Sequence, residues 1–389
     1  MTFHPSNIRS IVLLFCVLCL AGIGILMLAS TGAYATDGTA EGMSGLKKQC
    51  IFIVAGLVVC GVASLIDYHL LEKFTPWLVG GAAILLALCY SPFGVEANGE
   101  TRWVNFGFIG VKKFVMQPSE VGKLAVICWL AWWYARHPLR TGEFWKGYLQ
   151  PWLVPVVLIL LVAFEKDLGT AALLGGVVFL VMFTAGVKLW HLASAGLLGG
   201  AALGAAVVFI PERMGRLTAF MNLEAHRLGE GLQQWRSLIA LGSGGLEGRG
   251  YGNGVEKMFY MPYAHTDFIF PMIGEEFGLA GTLTVVLLFV MLVMSGMLIA
   301  SSAPDTFGRA MGAGIVGIIG CQALINLMVT TALLPNKGMP LPFISYGGSS
   351  VLMLFFMIGV LINIHRQGFA IETGRKNVIF AEPVITPRL

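Results

Sequence analysis

The sequence predicts an all-α polytopic membrane protein of about ten transmembrane helices, with a large extracytoplasmic loop between helices 7 and 8. Three observations carry that prediction. Of 389 residues, 57% are hydrophobic and 12% charged, and the mean hydropathy is +0.80, more apolar surface than one soluble core can hide. Apolar runs long enough for a hydrocarbon layer of roughly 30 Å recur along the chain. Lys and Arg gather in alternate, short connections.

The runs fall at 11 to 30, 50 to 66, 75 to 91, 118 to 135, 150 to 164, 168 to 187, 192 to 210, 268 to 300, 309 to 334 and 348 to 364. The first is about twice the apolar length of a secretory signal and leads directly into further spans, so it reads as an uncleaved anchor. Lys73, Arg136, Arg140, Lys146, Lys188, Arg309, Arg366, Arg375 and Lys376 occupy the short connections. By the positive-inside rule both termini, 1 to 10 and 367 to 389, are then cytoplasmic, and 1 to 389 forms a single integral membrane domain. The seven cysteines lie in or beside apolar runs with no CxxC pair, which marks them as packing residues. A formal charge of +4 without a basic, aromatic-rich run outside the membrane argues against nucleic acid as a partner.

With this topology four segments share the outer face: 92 to 117, 165 to 167, the long loop 211 to 266, and 335 to 350. The first contains Arg102 and Trp103. This pair suits an interfacial belt against lipid headgroups, and equally a guanidinium that holds a phosphate beside an aromatic platform for a sugar. Gln117-Pro118-Ser119-Glu120 then opens a helix, with Pro in the first turn, where its missing N–H costs nothing. Glu120 and Lys123 share one face of that helix; they form either a structural ion pair or the lining of a substrate cavity. Glu165-Lys166-Asp167 makes a tight turn whose acids suit a helix N-terminus without any further role.

The long loop is rich in aromatics, glycines and paired charges, a composition that favours order with short interfacial helices. Arg213 and Arg216 lie at i and i+3 after Pro211 and would meet lipid headgroups or a pyrophosphate. The glycine run 242 to 254 contains neither GxGxxG nor GxxxxGK[ST], so it is no nucleotide loop. Its glycines free the backbone for positive φ and for close approach to a bulky ligand. Asp267, two residues after His265, runs straight into an apolar helix. An ionisable group at such a boundary ordinarily faces a cavity or a partner. Lys337 and Ser345 sit in a stretch alternating Pro and Gly that cannot be continuous helix and reads as re-entrant or cavity-lining.

The stretches Gln117 to Lys123, Ser237 to Gly254, His265 to Gly278 and Leu334 to Ser350 resemble the SEDS family of bacterial peptidoglycan polymerases. Ser237 to Gly245, the run Ile273-Gly274-Glu275-Glu276 and Lys337 look more like its division type than its elongation type. The resemblance implies a peptidoglycan glycosyltransferase that polymerises lipid II at the outer face of the bacterial cytoplasmic (inner) membrane. It also implies a class B penicillin-binding transpeptidase and other divisome membrane proteins as partners. Asp267 matches the family's essential carboxylate and would act as general base. Arg102, Lys337, Arg213 and Arg216 would neutralise the pyrophosphate, Trp103 would support the sugar or isoprenoid neck, and Glu120, Lys123, His265 and Ser345 would complete the substrate cavity. A divalent cation, Mg or Mn, bridging Asp267 and the diphosphate is compatible with the resemblance, although no ligand spacing demonstrates it. The chain departs from the family pattern at Tyr263, Lys166 and Arg236 and between Leu223 and Glu230. A lipid II flippase and a non-catalytic scaffold are the competing functions.

Overall fold

The computed structural model describes residues 7–32, 40–97, 100–106, 115–259 and 265–372. In chain order the elements are α1 (Asn7–Gly32), α2 (Ala40–Leu65), α3 (His69–Leu88), β1 (Gly94–Ala97), β2 (Glu100–Asn105), β3 (Val115–Met116), α4 (Pro118–Arg136), α5 (Leu153–Phe164), α6 (Leu168–Thr184), α7 (Leu189–Phe209), α8 (Pro211–Met221), α9 (Leu232–Gly244), α10 (Glu256–Phe259), α11 (Ile269–Ser301), α12 (Thr306–Thr330) and α13 (Gly348–Glu372). Eight helical stretches are long and apolar enough to cross a membrane, the fourth being α5 together with the π-helical turn from Phe144. Two more complete the expected set: α6 is apolar but only 17 residues long, and α4 carries Glu120, Lys123 and Arg136 within 19 residues. The protein is a multi-pass, nearly all-helical membrane protein.

A few short strands stand beside the helices in an otherwise all-α architecture. Segment 92 to 117 contains a small antiparallel sheet of order β1-β2-β3. Its register jumps between Val95 and Glu96, opposite Trp103 and Thr101 respectively, which leaves Arg102 as the extra residue of a bulge. Bulges re-aim a side chain, and this one sits at the site described below. Three helices, α8, α9 and α10, divide the connection from α7 to α11, as its composition suggested.

The helices bury their faces in pairs. α2 lies along α13, α1 along α11, and α12 packs on α11, α4 and α6. By contrast α7 is largely exposed, with Trp190, Leu197, Leu198 and Phe209 all facing outward, and it packs on α6 and α8. At the end of the bundle remote from the long connection, His69 stands between Asp67 (2.8 Å) and Asp305 (3.5 Å). Asp305 also caps α12 by accepting the Gly308 N–H at 2.8 Å.

α11 is not one helix. At Gly278 its backbone turns to φ +62°, ψ −158°, a conformation open to glycine and costly for other residues. The break frees backbone groups inside an apolar layer, where each needs a partner. The glycine-rich segment after α9 supplies them: Arg249 N–H donates to Glu275 O at 2.9 Å, Gly250 N–H to Glu276 O at 3.0 Å, and Leu279 N–H donates to Gly245 O at 2.9 Å. The positive φ expected of this run occurs at Gly245, Gly248, Gly250 and Gly252. What it approaches closely is α11 itself, for a side chain at Gly248 would strike the backbone of Glu276 and Gly278.

The acids of α11 complete this docking. Glu275 accepts from Val255 N–H at 2.8 Å and from Glu256 N–H, and Glu276 accepts from Gly252 N–H at 3.0 Å. Lys257 forms a fully buried ion pair with Glu276, whose carboxylate also accepts from Ser30 Oγ of α1 at 2.6 Å. The chain's first described helix is thereby tied to the segment that leads toward Asp267.

Candidate active site

Four connections converge at the end of the bundle that carries the α7–α11 segment. Asp167 is their hub. It caps α6, accepting from the Thr170 N–H at 3.1 Å and hydroxyl at 2.8 Å. The Lys337 ammonium lies 3.4 Å from its other face and Arg102 Nε 3.8 Å away. Burial alone would raise the pKa of Asp167, but Lys337, Arg102 and Thr170 together hold it below the usual carboxylate range, so it is ionised.

Asp267 lies in the field of the same groups. Its carboxylate packs over Gly338, where a Cβ would collide with Oδ2, and the stem of Lys337 crosses Gly169 at the start of α6. Burial pushes the Asp267 pKa up to about 6; Asp167 adds to the rise, while Arg102 and Lys337 oppose it. The result is a half-buried carboxylate, ionised at neutral pH yet basic enough to take a proton. Burial drives the His265 pKa down, which keeps that imidazole neutral. Its ring meets Tyr346 edge-on at 6.3 Å.

The segment from 331 to 347 is irregular backbone, as expected for a cavity-lining element, and it is held from below. Asn326 of α12 donates to Asp267 O at 2.8 Å and to Met339 O at 2.6 Å, and Gln322 donates to Pro340 O at 2.9 Å. Phe343 has φ +65°, a strained setting for a bulky residue. Its ring is locked edge-on against Phe355 of α13.

Several residues expected to touch substrate have partners within the protein. Glu120 and Lys123 form a buried ion pair at 2.9 Å, and Lys123 passes on to Gln322 Oε1 at 3.0 Å, which ties the pair to the 331–347 segment through Pro340 O. Ser345 is buried; its hydroxyl donates to Thr266 O and accepts from Leu341 N–H at 2.8 Å, binding the loop to the approach to α11. Arg213 and Arg216 lie on α8, where Arg216 is exposed and the Glu230 carboxylate covers Gly215 between them; α8 packs on α7. Trp103, half-buried on β2, pairs across the sheet with Val95, next to Arg102. The departure at Tyr263 lies outside the described residues. Arg236 pairs with Glu256 at 3.6 Å.

Asp167 was missed as a functional residue because a capping acid is a complete explanation for its place in the sequence. The signal that could have found it is the turn itself, two acids flanking one residue between apolar runs. Among the described residues no three His, Cys, Asp or Glu side chains converge to hold a metal. Asp167 is engaged by Lys337, Arg102 and Thr170, so a cation expected to bridge Asp267 and a diphosphate would find one protein carboxylate there.

A family model described as "Cell cycle protein", covering FtsW, RodA and SpoVE, matches residues 11–369. The probable peptidoglycan glycosyltransferase FtsW of Geobacter metallireducens is 35% identical over 91% of this chain and 94% of its own length. Among solved structures, a chain from a peptidoglycan synthase complex that coordinates polymerization and crosslinking superimposes with a TM-score of 0.76 at 25% identity, covering 92% of this chain and 97% of that one. The rod shape determining protein RodA of Thermus thermophilus gives a TM-score of 0.67 at 26% identity, over 92% of this chain and 96% of its own.

Proposed function

Because the chain belongs to the FtsW, RodA and SpoVE family of cell cycle proteins, we propose that it is a peptidoglycan glycosyltransferase of cell division, polymerising lipid II into glycan strands. The observation that carries the reading is Asp267: a half-buried carboxylate with its pKa raised to about 6, beside two cations that share a second, ionised carboxylate. Such an arrangement both accepts a proton near neutrality and stabilises an anionic leaving group.

Asp267 takes the proton of the acceptor's 4-hydroxyl as that oxygen attacks the anomeric carbon of the donor sugar. The bond from that carbon to the diphosphate breaks, and the electron pair leaves with the lipid diphosphate. Arg102 and Lys337 meet the charge that develops there, and Asp167 fixes both cations in place without discharging them. Trp103 offers a ring beside Arg102 for the sugar or the isoprenoid neck.

The site faces the outer side of the bacterial inner membrane and both termini are cytoplasmic, a reading supported by the distribution of Lys and Arg among the short connections. A class B penicillin-binding transpeptidase is the expected partner, in keeping with the similarity to a chain of a peptidoglycan synthase complex; other divisome proteins follow from the division role.

The test is glycan polymerisation from purified lipid II in detergent or liposomes, with the chain alone and with its transpeptidase. Asp267→Asn is expected to lower the rate by at least about a hundredfold while inserting and folding normally. Polymer made at the wild-type rate by this variant would overturn the mechanism. No polymer from either protein, even with the partner, would redirect the assignment to a flippase or scaffold.

A further inference from the structure

Lys166 adopts φ +63°, a left-handed conformation that non-glycine residues rarely take. This single residue reverses the chain between α5 and α6 so that the side chains on both sides of it turn inward: Glu165 is 2% exposed and Asp167 3%. Proline, fixed near φ −65°, could not form this turn. The two inward carboxyls have opposite surroundings. Asp167 is satisfied by Thr170, Lys337 and Arg102. Neither oxygen of Glu165 has a hydrogen-bond partner of ordinary geometry among the described residues.

The groups that face Glu165 are Cys89 and Tyr90 just beyond α3, Arg102 from β2, and Asp167 from its own turn. Lys337, from the 331–347 segment, reaches Asp167 instead. The nearest donor, the Cys89 thiol, is a weak one, so a dry carboxylate here lacks the bonds it would need, whereas a neutral acid fits. Burial, reinforced by Asp167, pushes the Glu165 pKa up to about 8 against the pull of Cys89 and Arg102. Burial and Glu165 push Cys89 further up, and Tyr90 to about 12, so neither competes for a proton in the same range.

We propose that Glu165 is a positioning residue that governs Arg102: as a neutral acid it leaves the guanidinium to Asp167 and to the substrate's diphosphate, and as a carboxylate it draws the guanidinium away from both. The inference rests on the reading that this site binds a lipid-linked diphosphate sugar. It makes the enzyme lose affinity, and with it part of the leaving-group stabilisation, as pH rises through the Glu165 titration. Arg102 binds the diphosphate in the ground state and also meets the charge that develops on it, so KM rises and kcat falls.

The experiment is the pH dependence of kcat and KM for lipid II polymerisation, from about pH 5 to about 9.5, by wild type, Glu165→Gln and Glu165→Asp in complex with the transpeptidase. For wild type, kcat/KM is expected to fall by up to about tenfold per pH unit above about pH 8, with KM rising. The permanently neutral Gln variant should be flat there while keeping the acid limb set by Asp267, and the Asp variant should restore an alkaline limb. A purely structural Glu165 would give Gln a uniform loss with an unchanged profile, and that result overturns the proposal.

Binding of undecaprenyl diphosphate, followed by thermal shift at pH 7 and pH 9, separates this inference from the function it rests on, because it requires no turnover. Weaker binding by wild type at pH 9, with the Gln variant indifferent to pH, supports the role of Glu165 even if no polymer forms. Wild-type binding that is the same at both pH values overturns that role even if polymerisation is confirmed. Failure to bind at either pH overturns both.

Discussion

A hydrogen atom in place of a Cβ at residue 338 leaves room for the Asp267 carboxylate. Gly338→Ala should therefore displace the proposed base without unfolding the protein. We expect polymerisation to drop by at least about tenfold, with the thermal midpoint within a few degrees of wild type, measured on the same detergent preparation. The same residue sets an acid limb. A general base works only when deprotonated, and the Asp267 pKa stands at about 6, so kcat/KM should be constant near neutrality and fall as pH drops below about 6; a rate unchanged at pH 5 would remove Asp267 from the role of base. That Asp267 faces other charged groups was legible in the sequence, because an ionisable residue running into an apolar span ordinarily faces a cavity or a partner. Asp167 and Glu165 were not, since the sequence shows acids beside a helix N-terminus but not that a left-handed Lys166 turns both of them inward. Arg213, Arg216 and Ser345 were chosen by residue type and segment; the fold puts the first two on α8 and buries the third in backbone hydrogen bonds, which the sequence alone did not show.

At the scale of elements, the docking of the glycine-rich segment into the break of α11 turns on Lys257 and Glu276. Removing one partner of a buried ion pair leaves the other charge uncompensated, at a cost of about 3–5 kcal/mol. Lys257→Met should lower the thermal midpoint markedly, and adding Glu276→Leu should recover part of the loss; tryptophan fluorescence during heating in detergent would measure both. A single variant as stable as wild type would mean that the pair does not hold the segment. The glycines announced their positive φ in the sequence, but their partner was hidden, because Gly278 interrupts a run that reads as one continuous helix apart from Glu275 and Glu276. The sheet was hidden for a different reason: its strands are 4, 6 and 2 residues long, too short to display an alternating pattern.

For the whole molecule, the ten helices were legible because each must span the same apolar thickness, and even α4 betrayed itself despite three charges. Which helices form the frame and which stand apart was not legible, since lipid and protein interior ask for the same residues. Two glycines test the distinction. A Cβ at Gly359 of α13 would lie 2.5 Å from Cys60 O and 2.7 Å from the Ala63 Cβ of α2, whereas one at Gly200 of α7 meets nothing within 4 Å. Gly359→Ala should destabilise by about 1–3 kcal/mol, while Gly200→Ala should leave the thermal midpoint unchanged or slightly raised. Equal effects would place α7 inside the frame.

The tie between Ser30, Lys257 and Glu276 also sets a schedule. A ribosome releases Ser30 long before Glu276, and Lys337 later still, so the first helix must wait in the bilayer for a partner made near the end of synthesis. Contacts of such long sequence separation form late and slowly. A truncated or stalled chain ending before α12 would carry Arg102, Asp167 and Asp267 but lack both Lys337 and the asparagine that holds the Asp267 carbonyl. Catalytic competence therefore arrives only with the finished polypeptide, and fragments left in the membrane by interrupted translation should be inert toward the cell's lipid-linked sugars.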